Sequence, residues 1–291
     1  MEKKNIRNTP PEELTEFLCS HGEKAFRAKQ IYQWIWQKGV HSFDEMSNLS
    51  KGVREQLAAA FYFDNLRAGR IQTATDGTTK TAWELHDGQF VESVLIPGKD
   101  KYTVCVSSQV GCQLGCRFCA TGTLGFKRNL SAGEIFDQVV FAQKAAEERG
   151  STLSNIVFMG MGEPLLNYTN VLTAIKHITD ENGLAMSPYR ITVSTAGIPE
   201  KIRQLADDEV RFNLAVSLHA AKPDTRSRLM PVNQAYPLDQ LAESLKYFVE
   251  KTGTRPTFEY LLLNGINDST EDARTLATYC KQFPVNINIL E

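Results

Sequence analysis

The sequence lacks a long apolar run, a secretory leader and a marked net charge. Its longest apolar segments, residues 57–63 and 260–263, are far shorter than the roughly 18 residues that a membrane span needs. No apolar core follows the charged residues at the N-terminus, so we expect a reducing, cytoplasmic environment and no membrane partner. With 32 basic and 34 acidic residues in 291, a nucleic acid would have to be bound by a local basic patch.

The first part of the chain, residues 1–65, is predicted to be a small helical domain. Thr9 and Glu12 have the spacing of a capping box, in which each side chain bonds the backbone of the other residue. Residues 25–38 are predicted to form a second helix, and Ser50 is the N-cap candidate of a further one.

The next part, residues 66–98, has the alternation of polar and apolar residues that is typical of strands. Asp-Gly pairs at positions 76–77 and 87–88 separate the strands, and each pair suits the two positive φ angles of a type I′ turn. The sequence therefore predicts a three-stranded β-meander, with strands at residues 68–73, 79–85 and 90–96.

The remainder, residues 99–291, alternates apolar strand candidates with helical segments such as the one that Ser131 and Glu134 open. This alternation predicts right-handed crossovers and a parallel α/β sheet, either doubly wound or barrel-like. The six strand candidates are residues 102–107, 155–160, 190–195, 211–219, 257–263 and 285–290.

Three of the six cysteines, Cys112, Cys116 and Cys119, lie within eight residues in GCQLGCRFCATG. Structural zinc is one interpretation, but zinc takes four ligands, and the nearest further cysteine is Cys105, seven residues upstream. Three thiolates suit an iron–sulfur cluster with one iron open to a small molecule, and Phe118 would shield such a cluster from water. The loop follows the first predicted parallel strand, at the end where α/β enzymes place their active sites.

The sequence resembles the radical S-adenosylmethionine (SAM) superfamily and, within it, the RlmN/Cfr family of RNA methyltransferases. The resemblance extends from about residue 13 to the C-terminus, and Pro164 favours the RlmN branch because Cfr proteins typically lack this proline. It rests on the segments CVSSQVGCQLGCRFCATG, GFKRNL, MGMGEPLLN, ITVSTAG and SLHA. The fold that it implies is a partial (β/α)6 radical SAM barrel, preceded by the helical domain and the meander.

The resemblance also implies two cofactors, a [4Fe-4S] cluster and SAM. The cluster ligands would be Cys112, Cys116 and Cys119. Taken alone, the signals for SAM are weak, and a lone histidine after a strand is more often a structural residue. The positions that match SAM-binding residues of the family are Gly162, Glu163, Ser194, Ser217, Leu218 and His219.

Two further residues gain a role only from the resemblance. Glu92 matches the family's proton acceptor, and Cys105 matches the cysteine that resolves a covalent protein–RNA intermediate by forming a transient disulfide. Their residue types alone indicate a solvent-facing strand residue and a buried small residue, respectively. Cys19 and Cys280 match no functional position and are predicted to be packing residues.

The activity that the resemblance implies is methylation of adenine C2 in 23S ribosomal RNA and in transfer RNA, through a cysteine-bound methyl group. A low-potential electron donor such as flavodoxin or ferredoxin is the implied protein partner. The family's methyl-carrying cysteine and one SAM-contacting asparagine belong to a C-terminal segment, whereas this sequence ends at Glu291 inside a predicted strand. We therefore expect a fragment of a longer protein. The alternatives are a non-catalytic RNA-binding relative and a radical SAM enzyme with a small-molecule substrate.

A candidate RNA-contacting segment spans residues 24–41, which contain no acidic residue. Interleaved basic and aromatic side chains suit phosphate contact and base stacking. The alternative is an amphipathic helix whose aromatic side chains pack inward. The basic residues are Lys24, Arg27, Lys29 and Lys38, and the aromatic residues are Phe26, Tyr32, Trp34 and Trp36.

Overall fold

A computed structural model describes residues 3–291. Its strands are β1 (Lys4–Asn5), β2 (Phe61–Tyr62), β3 (Arg67–Thr73), β4 (Thr79–Glu84), β5 (Phe90–Pro97), β6 (Tyr102–Cys105), β7 (Gln109–Gly111), β8 (Phe126–Asn129), β9 (Leu153–Phe158), β10 (Ile191–Thr195), β11 (Asn213–Ser217), β12 (Thr257–Leu261) and β13 (Asn286–Leu290). Its α-helices are α1 (Pro11–Ser20), α2 (Phe26–Trp36), α3 (Lys51–Ala60), α4 (Ala120–Thr123), α5 (Ala132–Glu148), α6 (Tyr168–Thr179), α7 (Pro199–Asp207), α8 (Pro223–Leu229), α9 (Val232–Ala235), α10 (Leu238–Thr252) and α11 (Thr270–Cys280).

The chain divides into two compact units that each combine several segments. The three-part division predicted at residues 65/66 and 98/99 stays a prediction. The first unit contains the chain up to Tyr102, Leu130–Leu153 and Thr169–Ser187, and the second contains Thr103–Asn129, Ser154–Tyr168 and Pro188–Glu291.

The first unit contains the predicted short helices. The Ser50 side chain accepts a hydrogen bond from the Val53 N–H and begins α3, as predicted. The predicted cap of α1 is wrong by one residue, because Thr9 donates its hydroxyl to the Asn5 carbonyl and Pro10 is the N-cap residue. Helix α5 begins with the capping box predicted from Ser131.

The predicted meander is present in the same unit, since β4 pairs antiparallel with both β3 and β5. The predicted type I′ turns are wrong. Gly77 and Gly88 have φ angles of +88° and +74°, but neither preceding aspartate has a positive φ. Each loop has three residues rather than two, as the hydrogen bond from the Ala74 N–H to the Thr78 carbonyl shows. The Asp76 carboxylate stabilises its loop by accepting the Thr78 N–H at 2.9 Å.

A buried ion pair attaches the N-terminal segment to α5. The side chains of Arg7 and Asp137 are 1% and 0% exposed, and the guanidinium bonds the carboxylate. Nε2 of His41 lies 3.1 Å from the same carboxylate oxygen. The Arg7 guanidinium also lies within 6 Å of the centres of three aromatic rings. Removal of either partner would therefore leave a buried charge without compensation.

We expect Asp137→Ala to lower the free energy of unfolding by about 3–5 kcal/mol, because it leaves the Arg7 guanidinium buried without its carboxylate. Urea unfolding followed by circular dichroism measures the change. The control is Glu55→Ala, which removes an exposed ion pair with Lys51 and should cost less than about 1 kcal/mol. Equal effects of the two substitutions would contradict this role of the buried pair.

The second unit contains the predicted parallel strands, in the order β13-β12-β11-β10-β9-β6. Each neighbouring pair from β9 to β13 is parallel, which confirms the predicted α/β fold. Strand β11 is mostly buried, as expected for a parallel strand with both faces covered. No helix within residues 3–291 is long and apolar enough to span a bilayer.

Candidate functional site

The three-cysteine loop is closed by a hairpin that the sequence patterns did not reveal. Strand β7 pairs antiparallel with β8, and the Cys112 N–H donates to the Gly125 carbonyl at 3.0 Å. Gly111 has a φ of +74°, and a Cβ there would lie 1.7 Å from the Gly125 carbonyl oxygen. The hairpin therefore requires glycine at position 111. Strands of three and four residues around a long loop give too little alternation to predict.

Cys116 and Cys119 lie at the two ends of one turn inside this hairpin. The Cys119 N–H donates to the Cys116 carbonyl at 3.1 Å, and α4 begins at the next residue. A Cβ at Gly122 would lie 2.9 Å from the Cys116 carbonyl oxygen, so the chain packs too closely there for a side chain. The Arg117 N–H donates to the Leu229 carbonyl at the end of α8, which fixes the middle of the loop.

A cavity of about 270 Å³ lies at the carboxyl ends of the parallel strands, within the second unit. It brings together the three cysteines and most of the residues predicted to bind SAM. Phe118, the residue predicted to shield a cluster from water, also lines it. The predicted residues that line the cavity are Cys112, Cys116, Cys119, Gly162, Glu163, Ser194, Ser217 and His219.

The three cysteine sulfurs are not grouped as closely as the ligands of a single metal ion. Tetrahedral zinc would place its sulfur ligands about 3.8 Å apart. Within residues 3–291, the three Sγ atoms do not form a set that lies entirely within 4.8 Å. At least one pair is therefore too far apart for a single zinc ion, whereas an iron–sulfur cluster binds its thiolates to separate irons. The three residues fit a cluster better than zinc.

Burial dominates the electrostatics of the thiols. Burial, with smaller contributions from the neighbouring Cys112 and Cys119, raises the pKa of Cys116 to about 12. Burial also raises the pKa of Cys112. Because a metal ligand must be a thiolate, binding of a cationic cluster would have to overcome this desolvation and release protons.

Glu163 is a buried carboxylate with fixed orientation. One oxygen accepts the Leu165 N–H at 3.0 Å, and the other accepts the Ala196 N–H at 2.7 Å. Burial raises the pKa of Glu163, and these backbone bonds partly offset the shift. A ligand with an ammonium group would complement this carboxylate in the cavity.

Gly162 lets the backbone approach the strand beside it. Its φ is +101°, and a Cβ there would lie 2.5 Å from the Cβ of Gln109. Gln109 in turn accepts the Glu163 N–H on its side-chain oxygen at 2.8 Å. The Gly-Glu pair is therefore held against β7, with the carboxylate facing the cavity.

His219 has an unusual backbone conformation for a residue with a side chain, with a φ of +52°. Its carbonyl accepts the side-chain amide of Asn267 at 2.6 Å, and its Nδ1 accepts the Leu261 N–H at 3.0 Å. Burial, with a smaller contribution from Arg226, lowers the pKa of His219 to about 4. The imidazole is therefore neutral at pH 7, and the acceptor role of Nδ1 places the proton on Nε2.

Two residues differ from the prediction in whether their side chains line the cavity. The side chain of Leu218 is fully buried and does not line the cavity, although its backbone lies beside His219. Glu259 on β12 lines the cavity but was not predicted, because one acidic residue between Phe258 and Tyr260 is a weak signal. It accepts the side-chain amide of Asn288 at 2.8 Å.

Glu92 and Cys105 belong to different units. Glu92 is half-buried on β5 and forms an ion pair with Lys80 at 3.1 Å. Cys105 ends β6, and burial raises the pKa of its thiol to about 11. Cys19 is exposed, so its prediction as a packing residue is wrong. All six cysteines lie within the described residues and are free, so the structure does not support a disulfide bond.

Comparisons with known proteins identify the family. Residues 106–277 match the radical SAM superfamily, and residues 4–62 match the N-terminal domain family of ribosomal RNA large subunit methyltransferases. A probable dual-specificity RNA methyltransferase RlmN from Christiangramia forsetii is 50% identical over 290 residues, which cover 99% of this chain and 82% of the relative. The chain belongs to the RlmN family of radical SAM methyltransferases.

Further relatives agree with this assignment. The Bacillus subtilis protein of the same name is 45% identical over 289 residues, which cover 99% of this chain and 80% of the relative. The crystal structure of a radical SAM methyltransferase from Sphaerobacter thermophilus matches with a TM-score of 0.92 and 41% identity. That match covers 98% of this chain and 84% of the other. As an RlmN-family protein, the chain is an enzyme whose superfamily uses a [4Fe-4S] cluster and SAM.

Anaerobic reconstitution with iron and sulfide tests the cysteine site. We expect about four irons and four sulfides per chain, with loss of both in a triple variant in which Cys112, Cys116 and Cys119 are alanine. The control lacks Cys19 and Cys280, which do not line the cavity, and should keep the full content. Stoichiometric zinc, or iron that persists in the triple variant, would contradict the site.

Proposed function

We propose that this enzyme methylates C2 of adenine in ribosomal RNA and in transfer RNA. The observation that carries the proposal is the single cavity shared by the three cysteines, the Gly162-Glu163 pair and His219. The RNA substrate class is supported by relatives named as dual-specificity RNA methyltransferases and by the match of residues 4–62. A non-catalytic RNA-binding relative is not favoured, since the matches that cover nearly the whole chain are to proteins named as enzymes.

When bound, the cluster and SAM supply one-electron chemistry, which can modify an electron-poor ring carbon that ordinary methyl transfer does not reach. In this proposal, Cys112, Cys116 and Cys119 bind the cluster, and Phe118 excludes water from it. The electron donor is a low-potential protein such as flavodoxin or ferredoxin. A cytoplasmic location also stays a prediction.

The residues proposed to bind SAM offer complementary groups. The Glu163 carboxylate accepts hydrogen bonds from the amino group of the methionine part, and Gly162 permits the backbone to approach it. Ser194 and Ser217 offer hydroxyl groups, and the Nε2–H of His219 is a donor. Leu218 contributes through its backbone, because its side chain is directed away from the cavity lining.

Glu163→Gln should weaken SAM binding by about tenfold to a hundredfold, because it removes a charge-assisted hydrogen bond. Equilibrium binding of SAM to the reconstituted enzyme measures the effect, with iron content determined in parallel. The matched control is Glu200→Gln on α7, whose carboxylate bonds the Tyr236 hydroxyl outside the cavity. Unchanged SAM affinity in Glu163→Gln would remove this residue from the proposed site.

Glu92 and Cys105 are proposed to act on the RNA base, through a methyl group carried on a cysteine and a transient protein–RNA adduct. Glu92 accepts the proton from C2. Its ion pair with Lys80 is half-exposed and contributes only about 1 kcal/mol, so the carboxylate can exchange this partner for the substrate. Cys105 resolves the adduct. Since its pKa of about 11 keeps the thiol protonated at neutral pH, a base has to remove that proton as the sulfur attacks.

Mass spectrometry of nucleosides tests the reaction. We expect 2-methyladenosine in ribosomal and transfer RNA after reaction with the reconstituted chain, SAM and a reductant, with the Christiangramia forsetii relative measured beside it. Glu92→Gln should lower product formation by about a hundredfold, because general-base catalysis typically contributes at least that much. Glu84→Gln on the neighbouring strand is the control. Methylation of another base, or of no RNA at all, would contradict the proposal.

We propose that α2 and the residues before it contact RNA. Lys24 and Lys29 are exposed, and Phe26 is 53% exposed beside the Arg27 guanidinium. Trp36 follows the inward-packing interpretation, since it is 3% exposed and stacks on His177 at 3.6 Å, whereas Tyr32 and Trp34 are half-buried. The basic residues therefore support RNA contact better than the aromatic residues do, with Phe26 as the exception.

Charge reversal of Lys24, Arg27 and Lys29 to glutamate should weaken RNA binding and reduce its salt dependence. The slope of log K against log salt should fall by about 2, because each phosphate contact to single-stranded RNA contributes about 0.7. The control is reversal of three exposed cations in the second unit, Lys251, Arg274 and Lys281. Equal losses in both variants would indicate a non-specific effect of net charge and would contradict this surface.

A further inference from the structure

Arg226 on α8 is a fully buried cation within the second unit. Its side chain is 0% exposed, and it is among the largest fully buried side chains of the described chain. Burying a charge costs free energy unless an opposite charge or hydrogen bonds compensate it. The groups around Arg226 therefore show how far its charge is compensated.

The hydrogen-bond partners of Arg226 are all neutral. Nε donates to the Leu218 carbonyl at 3.3 Å, and Nη1 donates to the side-chain oxygen of Asn233 at 2.9 Å. Nη2 donates to the Ala196 carbonyl at 2.7 Å and to the Ser217 carbonyl at 3.5 Å. Within residues 3–291, no carboxylate forms an ion pair with this guanidinium. These neutral acceptors fix the orientation of the guanidinium, but they do not neutralise its positive charge.

The same helix is bonded to the three-cysteine loop. The Leu229 carbonyl at the end of α8 accepts the Arg117 N–H at 2.9 Å, next to Cys116. Cys116 packs against a small apolar cluster that contains Leu229 and Met230. The Arg226 guanidinium itself donates to the carbonyls of Ala196 and Ser217, two residues that line the same cavity as Cys116. Burial lowers the pKa of Arg226 to about 10, so the guanidinium is still charged at pH 7.

We propose that Arg226 is the fixed counter-charge of the cluster site and makes one-electron reduction at that site easier. A [4Fe-4S] group in its oxidised state with three thiolates carries one net negative charge, and it carries two after one electron arrives from a low-potential donor. In a buried site, a nearby positive charge stabilises the more negative state. The inference rests on the proposed assignment of Cys116 as a cluster ligand.

Redox titration of the reconstituted enzyme tests this role, with the reduced state followed by electron paramagnetic resonance. In Arg226→Gln, the ratio of reduced to oxidised cluster at a fixed potential should fall at least tenfold, which corresponds to about 59 mV for one electron. Arg228→Gln is the matched control, since it removes an exposed charge two residues away on the same helix and should leave the ratio unchanged.

Arg226→Lys separates charge from hydrogen bonding. Lysine keeps the charge but loses the planar arrangement of donors, so thermal stability should fall while the redox ratio stays within about threefold of the parent. An unchanged ratio in Arg226→Gln would overturn the proposal. A tenfold loss in Arg226→Lys at full iron content would also overturn it. If Arg226→Gln does not take up iron, the redox ratio of Arg226→Lys is the test, and a tenfold loss in that variant at full iron content overturns the proposal.

The iron and sulfide content of the parent chain is measured first. A parent chain that binds no cluster through Cys116 would contradict the proposed site itself. A parent chain with a full cluster, whose potential is insensitive to Arg226, would contradict only the counter-charge inference.

Discussion

Parallel pairing of the strands in the second unit is the constraint on which the candidate site depends. Because neighbouring strands from β9 to β13 run in the same direction, their carboxyl ends meet at one edge of the sheet. Residues from Cys112 to Glu259, far apart in sequence, line one cavity there. The helices between the strands provide both the length for each crossover and the apolar cover for the sheet.

The edge of the sheet holds its polar side chains through backbone hydrogen bonds rather than through ion pairs. Glu163 accepts two backbone N–H groups, whereas Arg226 donates to three backbone carbonyls. The backbone of Ala196 takes part in both sets, because its N–H donates to Glu163 and its carbonyl accepts from Arg226. A buried anion and a buried cation are thus fixed without neutralising each other, which leaves each charge able to act on a charged cofactor.

Several elements of the fold could be predicted from hydrogen bonds between residues that are close in sequence. The capping box of α5 and the N-cap of α3 were predicted because a serine side chain bonds the backbone three residues on. The turns of the meander were predicted at the correct glycines but with the wrong type, since loop length depends on the register of the paired strands. The cap of α1 failed for a similar reason, because Thr9 had a competing acceptor in Asn5.

The sequence by itself determined the alternation of strands and helices, the three-cysteine loop and the family, because these depend on spacing along the chain. The tertiary structure decided which side chains reach the cavity. Leu218 shares a motif with Ser217 and His219, but its side chain packs away from the lining. It also decided the surroundings of Arg226, because burial and charge compensation arise from segments that meet only when the sheet has formed.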